Sequence, residues 1–323
     1  MHVRILIASV LTIVLVCSMG RLALAQDTPT ANDNATAQSD DPAAELLILR
    51  KVFRGASATA GQFRFHAAIG IRQWKDGPYD YLCGASLVAP RWLVSARHCF
   101  KKSAAGGLYK AQIATLEYAG FSDSIAVEDV YVYVRAQDEA EFLGDIVLLR
   151  LAVDAPTRAA PIPLQDKAGF DSAGHEHSRA EYTILGFGES TAGGGPVSRL
   201  QAASNIPSEP SDLCRKLDIQ PEGTLVYGNR VVADTICAGN TNDPIGSDAC
   251  KGDSGGGLIY DPTGSHPVLA GVVSGASSAN DYGCNNQRIK VGLYSRIASY
   301  HDQIVACIAS IDDPACHFAR MSP

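Results

Sequence analysis

The segment Asp248-Ala249-Cys250-Lys251-Gly252-Asp253-Ser254-Gly255-Gly256-Gly257 carries the most specific pattern in this chain of 323 residues. A run of Gly-Asp-Ser-Gly-Gly arises by chance in about one chain in ten thousand of this length, taking roughly one in twenty per position. Gly252 can let the backbone turn so that its N–H and the N–H of Ser254 face one point, which is how an oxyanion is held. Ser254 is therefore a candidate nucleophile.

A serine hydroxyl needs a base to take its proton, and the base needs a carboxylate to hold its tautomer. Of the eight histidines, His98 stands at the end of an apolar strand and beside Cys99, which can fix its backbone. Asp145 precedes a strongly apolar run, where a carboxylate is rarely buried without a partner. The sequence therefore indicates His98 as the base and Asp145 as its orienting acid.

Short apolar or alternating runs, separated by turn residues, recur through most of the chain. This spacing is typical of an all-β fold. The Gly-rich segment 191–196 is expected to form a loop. A helix is expected only near the end, where Ile297, Tyr300, Ile304 and Ile308 recur at steps of three and four residues.

The first residues have the features of an export signal. A basic start precedes the apolar run 5–16, and Ala23-Leu24-Ala25 forms an A-x-A cleavage site. The alternative is a membrane anchor, but Met19-Gly20-Arg21 interrupts the run well short of the ~20 apolar residues that a spanning helix needs. We expect a signal peptide at 1–25, a propeptide or linker at 26–51, and a folded body at 52–323.

Composition and charge exclude several classes of protein. The chain is 46% hydrophobic and 19% charged, which rules out a disordered chain, a coiled coil and collagen. A net charge of −7 argues against a nucleic-acid partner, which requires a basic face. No C-x-x-C pair is present, and the acids between Glu117 and Glu128 lack the spacing of a calcium loop. We therefore expect neither a metal nor a cofactor.

The chain resembles the trypsin-like serine proteases of the chymotrypsin fold, with His98, Asp145 and Ser254 in that family's order. The resemblance covers about Val52 to Tyr300 and implies two antiparallel six-stranded β-barrels with a C-terminal helix. The N-terminal barrel would span about 52–165, the C-terminal barrel about 166–300, and the helix and tail 296–323. The implied function is a secreted, extracellular or periplasmic endopeptidase that acts on proteins or peptides and leaves the membrane after signal cleavage.

The resemblance also implies a role for each residue of the site. His98 would act as general base and then acid, Asp145 would orient it, and Ser254 would form the acyl-enzyme. Gly252 and Ser254 would donate the oxyanion-hole N–H groups. The substrate-binding residues would be Asp248 at the pocket floor, which favours Arg or Lys before the scissile bond, with Ser274 and Gly292.

Activation and disulfides follow from the same likeness. Val52-Phe53-Arg54-Gly55 is similar to the family's mature N-terminus, so cleavage after Lys51 would free an amine that pairs with Asp253, and the uncut chain would be a zymogen. Eight cysteines follow the signal, which leaves 105 possible pairings by count alone. The likeness implies Cys83–Cys99, Cys214–Cys237 and Cys250–Cys284, and by elimination the remaining pair is Cys307–Cys316.

Three departures from the family pattern affect the site. Arg97 replaces a small residue before the histidine and must find room behind the triad. Phe187 stands where the family usually has Trp, and Ser274-Gly275-Ala276 replaces Ser-Trp-Gly, which removes an aromatic wall of the pocket. The alternative function is a catalytically weak, protease-like binding module. An α/β-hydrolase would need the order Ser, Asp, His and alternating helices, and neither is present.

Overall fold

The computed structural model describes residues 55–117, 120–134, 144–175, 180–189, 195–212, 234–239, 249–276 and 291–322. The expected signal and linker, with Lys51 and Val52, lie outside these residues. Within these ranges no helix has the length and apolar character needed to cross a membrane.

The first barrel is built from six antiparallel strands: β2 (His66–Ile71), β3 (Asp80–Ala89), β4 (Trp92–Ser95), β5 (Tyr109–Ile113), β6 (Ile125–Tyr133) and β7 (Val147–Leu151). They pair in the order β6-β5-β2-β3-β4-β7 and close through β6 and β7. The apolar run after Asp145 forms β7, whose Leu148 and Leu149 are fully buried. This burial explains why the run reads as almost continuously hydrophobic.

The second barrel also has six antiparallel strands: β8 (Glu181–Gly186), β9 (Gln201–Glu209), β10 (Thr235–Ala238), β11 (Gly257–Tyr260), β12 (Val268–Ala276) and β13 (Gly292–Arg296). Their order is β9-β10-β13-β12-β11-β8, closed through β8 and β9. The prediction of an all-β fold with two six-stranded barrels is confirmed.

A strand at each end of the body crosses to the other barrel. β1 (Ala56–Ser57) pairs with β9, and β14 (Phe318–Arg320) pairs with β6. Arg320 forms an ion pair with Asp129, a carboxylate that is only 2% exposed. Apart from these two strands, the strands of the first barrel lie within 66–151 and those of the second within 181–296.

Two α-helices lie in the described residues. The expected C-terminal helix is α2 (His301–Ala309), preceded by a 3₁₀ turn at Ile297–Ser299. Helix α1 (Lys167–Ala173) was not expected from the sequence. The side chain of Asp166 accepts from the N–H of Gly169 and caps its start, and Gly174 ends it in the left-handed conformation.

Candidate active site

His98 and Asp145 are joined by two hydrogen bonds. Asp145 Oδ2 lies 2.8 Å from His98 Nδ1, and Asp145 Oδ1 accepts from the backbone N–H of His98 at 2.8 Å. His98 is held in the 3₁₀ turn Arg97–Cys99, directly after β4. With the Nδ1 proton directed at the carboxylate, the lone pair of Nε2 is left to take a proton. The geometry is that of a base oriented by an acid.

Two serines of the second barrel hold Asp145, which is 1% exposed. Ser274 Oγ donates to Asp145 Oδ2 at 2.5 Å, and Ser295 Oγ donates to the Asp145 carbonyl at 2.7 Å. The register of β12 against β13 shifts between Val273 and Gly275, so Ser274 lies at a β-bulge. Ser274 thus satisfies an oxygen of the buried carboxylate, and Ser295 satisfies the backbone carbonyl of the same residue. Both barrels therefore contribute to one hydrogen-bonded unit.

Ser254 lies in a tight turn between two glycines with positive φ. Gly252 has φ of 95° and Gly255 has φ of 79°, conformations that favour glycine. The N–H of Gly84 on β3 donates to the Ser254 carbonyl at 2.8 Å. A Cβ on Gly255 would overlap Ser95 Oγ and would lie 3.2 Å from the N atom of Ala96. The serine turn is therefore packed against the end of β4, two residues before His98.

Asp253 is a second buried carboxylate, next to the candidate nucleophile Ser254. It is 2% exposed and accepts from the N–H of Gly188 and of Cys250, each at 2.8 Å. Burial raises the pKa of Asp253 to about 6, although the two N–H donors act in the opposite direction. A Cβ on Gly188 would lie 2.6 Å from the Asp253 carboxylate, so this approach requires glycine.

The expected specificity pocket is only partly described. Asp248 lies outside the described residues, as do Cys214 and Cys284. Gly292 is buried on β13 opposite Ala276 of β12, and a Cβ on Gly292 would overlap the Tyr294 ring. A Cβ on Gly275 would meet no atom within 4 Å, so the place of the missing aromatic wall is open among the described residues.

The substituted positions around the site are accommodated in different ways. Arg97 is exposed at the start of the 3₁₀ turn Arg97–Cys99. Phe187 is fully buried, with its ring centroid 6.1 Å from Tyr81 and 5.6 Å from His66. Phe187 therefore fills an aromatic position in the core.

Disulfide bonds brace the site. Cys83–Cys99 joins β3 to the turn that carries His98, and Cys307–Cys316 closes the segment after α2. Cys237 and Cys250 are also disulfide-bonded. Cys83 and Cys99 cluster with His98 at distances that a metal could bridge, but their sulfur atoms are already joined to one another.

Sequence reasoning did not anticipate two residues that support the site. Tyr81 Oη donates to the Gly252 carbonyl at 2.8 Å and so holds the turn that carries Ser254. Ser295, described above, supports the backbone of Asp145. Neither contact has a local sequence signal, because each joins residues more than a hundred positions apart.

Comparison with known proteins finds similarity to trypsin and to other serine proteases. The profile of the family named Trypsin matches residues 52–304. A protein named trypsin from Saccharopolyspora erythraea is 31% identical over 223 residues, which span 69% of this chain and 85% of that protein. Coagulation factor XII of Cavia porcellus is 28% identical over 79% of this chain and 40% of its own length. Transmembrane protease serine 9 of Rattus norvegicus is 27% identical over 82% of this chain and 23% of its own length.

Proposed function

The chain belongs to the trypsin family of serine proteases, and we propose that it is a secreted endopeptidase that cleaves after Arg or Lys through an acyl-enzyme. The observation that carries this proposal is the Asp145–His98 pair, 2.8 Å apart, with the Ser254 turn packed against the same strand end. The substrates are proteins or peptides.

Each residue then has a defined step. His98 Nε2 takes the proton of Ser254 Oγ as this oxygen bonds to the scissile carbonyl carbon, and the N–H groups of Gly252 and Ser254 stabilise the oxyanion. His98 returns the proton to the leaving amine, which departs and leaves the acyl-enzyme. Water, deprotonated by His98, then attacks the acyl carbon; the bond to Ser254 Oγ breaks as His98 returns the proton to that oxygen, and the acid is released. Asp145 stabilises the imidazolium in both halves of the reaction.

We further propose that the chain is made as a zymogen, with residues 1–25 as signal and 26–51 as propeptide. Cleavage after Lys51 would free the amine of Val52. Asp253 supports this proposal, because a buried carboxylate whose pKa is raised to about 6 by burial gains most from a cationic partner. Pairing with the amine would lower that pKa and fix the turn that carries Ser254.

The test uses protein cut after Lys51 and a pair of chromogenic substrates that end in Arg and in Phe. We expect turnover of the Arg substrate alone, its loss in Ser254→Ala, and labelling of Ser254 by a fluorophosphonate. Asp248→Ser should abolish the preference for Arg, and Lys51→Gln should remain latent. If neither substrate is cut and Ser254 is not labelled, the binding-module alternative is the better description.

A further inference from the structure

The basic charge of this acidic protein is concentrated beside the catalytic histidine. Between Ile71 and Lys110 the chain has seven basic side chains and two acidic ones, although its net charge is −7. Arg91 is paired with Glu128. The other six form what we call the basic rim: Arg72, Lys75, Arg97, Lys101, Lys102 and Lys110. Within the described part of the chain, no residue of the basic rim has an ion-pair partner among the carboxylates.

Packing brings the two segments of the rim together. Arg72 donates from its backbone to the Leu108 carbonyl and from its guanidinium to the Gly106 carbonyl. Tyr79 lies between two rim cations, with Lys110 Nζ at 4.8 Å and Arg72 Cζ at 5.8 Å from its ring centroid. The loop after His98 is therefore docked on the loop between β2 and β3.

The rim is also accessible and lies near an exposed aromatic side chain. Lys75, Arg97, Lys101 and Lys102 are exposed. Trp74 is 59% exposed, whereas tryptophan side chains are highly buried on average. A cluster of one sign of charge attracts partners of the opposite sign, and an exposed apolar side chain beside it adds a contact surface.

Among the residues that the structure describes, the nearby carboxylates do not neutralise this surface. Glu128 and Asp129 line one side of the loop at Ala104, but Glu128 pairs with Arg91 and Arg150. Asp129 pairs with Arg150 and Arg320. Asp76 and Asp80 are the two acids of the rim segment itself, and they leave it with an excess of positive charge.

The position of the rim identifies the part of a substrate that it would meet. Arg97 directly precedes His98, and His98 Nε2 lies 3.8 Å from Cys99 Sγ. Nε2 is the atom that delivers the proton to the leaving amine, so the Cys83–Cys99 disulfide borders the leaving-group side. Lys101 and Lys102 follow Cys99 by two and three residues and are exposed. A peptide that leaves the site on the side of this disulfide would therefore pass close to the rim.

From this arrangement we propose that the basic rim selects substrates with acidic residues on the carboxyl-terminal side of the scissile bond. The proposal rests on the protease function proposed above and names its substrate class. A substrate segment is favoured over a nucleic acid, because the net charge of the whole protein is negative and the rim adjoins the cleavage site.

The test compares two quenched fluorescent peptides that share an Arg before the cleaved bond. One carries four Glu residues after that bond and the other four Gln residues. With protein cut after Lys51, we expect kcat/KM to be about tenfold higher for the Glu peptide at low salt, because electrostatic steering raises association rates. The ratio should approach one at about 1 M NaCl, where charges are screened.

The matched variants separate local from overall charge. Lys101→Gln/Lys102→Gln should reduce the Glu-to-Gln ratio at least threefold, and Lys167→Gln/Arg199→Gln, which removes two exposed charges elsewhere, should not. Each rate is divided by that of a chromogenic Arg substrate with no residue beyond the cleaved bond. The normalised ratio therefore reports the rim and not the triad.

Several results would overturn the proposal. A Glu-to-Gln ratio of one in the unaltered protein would do so, as would equal losses in both double variants. Binding of a sulfated oligosaccharide to the rim, with equal cleavage of both peptides, would assign the surface to a different partner. Failure of the protease function is read separately. In that case no peptide is cut. Fluorescence anisotropy then compares binding of the labelled Glu and Gln peptides to the full chain, and equal binding would reject the proposed role of the basic rim.

Discussion

His66 is a buried histidine whose ring nitrogens both lack a hydrogen-bond partner among the described residues. It lies on β2, is 1% exposed, and packs against Phe187. Burial lowers the pKa of His66 from 6.5 to about 3. The folded protein therefore keeps the ring neutral at a pH where the unfolded chain protonates it, so stability is complete above pH 6.5 and is lost as pH falls toward 3.

The size of this effect follows from the pKa difference. At pH 4.5 the unfolded chain lies two units below its histidine pKa, which favours unfolding by about 3 kcal/mol at roughly 1.4 kcal/mol per unit. In His66→Leu this contribution disappears. The variant should equal or exceed the original protein at pH 7, since Leu has a similar volume and brings no unsatisfied nitrogen into the core.

The assay is urea unfolding at pH 7 and pH 4.5 with the disulfides intact. We expect the fall in free energy of unfolding between the two pH values to be about 3 kcal/mol smaller in His66→Leu. Asp253, whose raised pKa acts in the opposite direction, and His175, whose pKa burial lowers to about 4, are unchanged in the variant and cancel. The same exchange at the exposed His266 is the control. Equal pH dependence in the original protein and in His66→Leu would refute the reasoning.

Three further predictions concern the site and the C-terminal segment. Asp145→Asn should reduce kcat by about 10⁴-fold in the chromogenic assay while near-UV circular dichroism is retained, because His98 loses the acceptor that sets its tautomer; a loss under tenfold would contradict this role. Ser274→Ala should lower kcat by about tenfold and leave the urea midpoint within its error at pH 7, since the hydroxyl donor to the Asp145 carboxylate is removed; unchanged kcat would show that this donor does not contribute to catalysis. Replacing Cys307 and Cys316 by Ser should lower the free energy of unfolding by about 2.5 kcal/mol by loop-closure entropy, and a change in kcat without a change in stability would be inconsistent with a structural brace.

The sequence could predict those features that depend on local composition. The runs that form β7 and β12 are apolar enough to identify buried strands, and the glycines around Ser254 indicate a turn with positive φ. The sequence of helix α1 does contain capping signals. Asp166 is an N-cap residue and Gly174 a C-cap residue, and they lie eight residues apart.

Other features depend on distant partners and leave no local trace. β14 has three residues and no usable periodicity, and its pairing with β6 is decided only when Arg320 meets Asp129. The bond from Tyr81 to Gly252 likewise requires both barrels to be in place. Arg97 is exposed in the 3₁₀ turn Arg97–Cys99, and the residue type alone does not predict that turn.

The strand β14 sets a constraint on the order in which the protein can fold. All six closing strands of the first barrel have been synthesised by Leu151, but the strand that pairs with β6 comes at the end of the chain. At about 5 to 20 residues per second, the interval lasts about 10 to 30 s. During that time the end of β6 at Tyr131–Tyr133, which β5 does not reach and β14 later covers, is open to pairing with a strand of another nascent chain. A chain that ends after α2 would keep this edge open permanently. Aggregation of such a truncated chain would therefore depend on protein concentration and not on loss of the core.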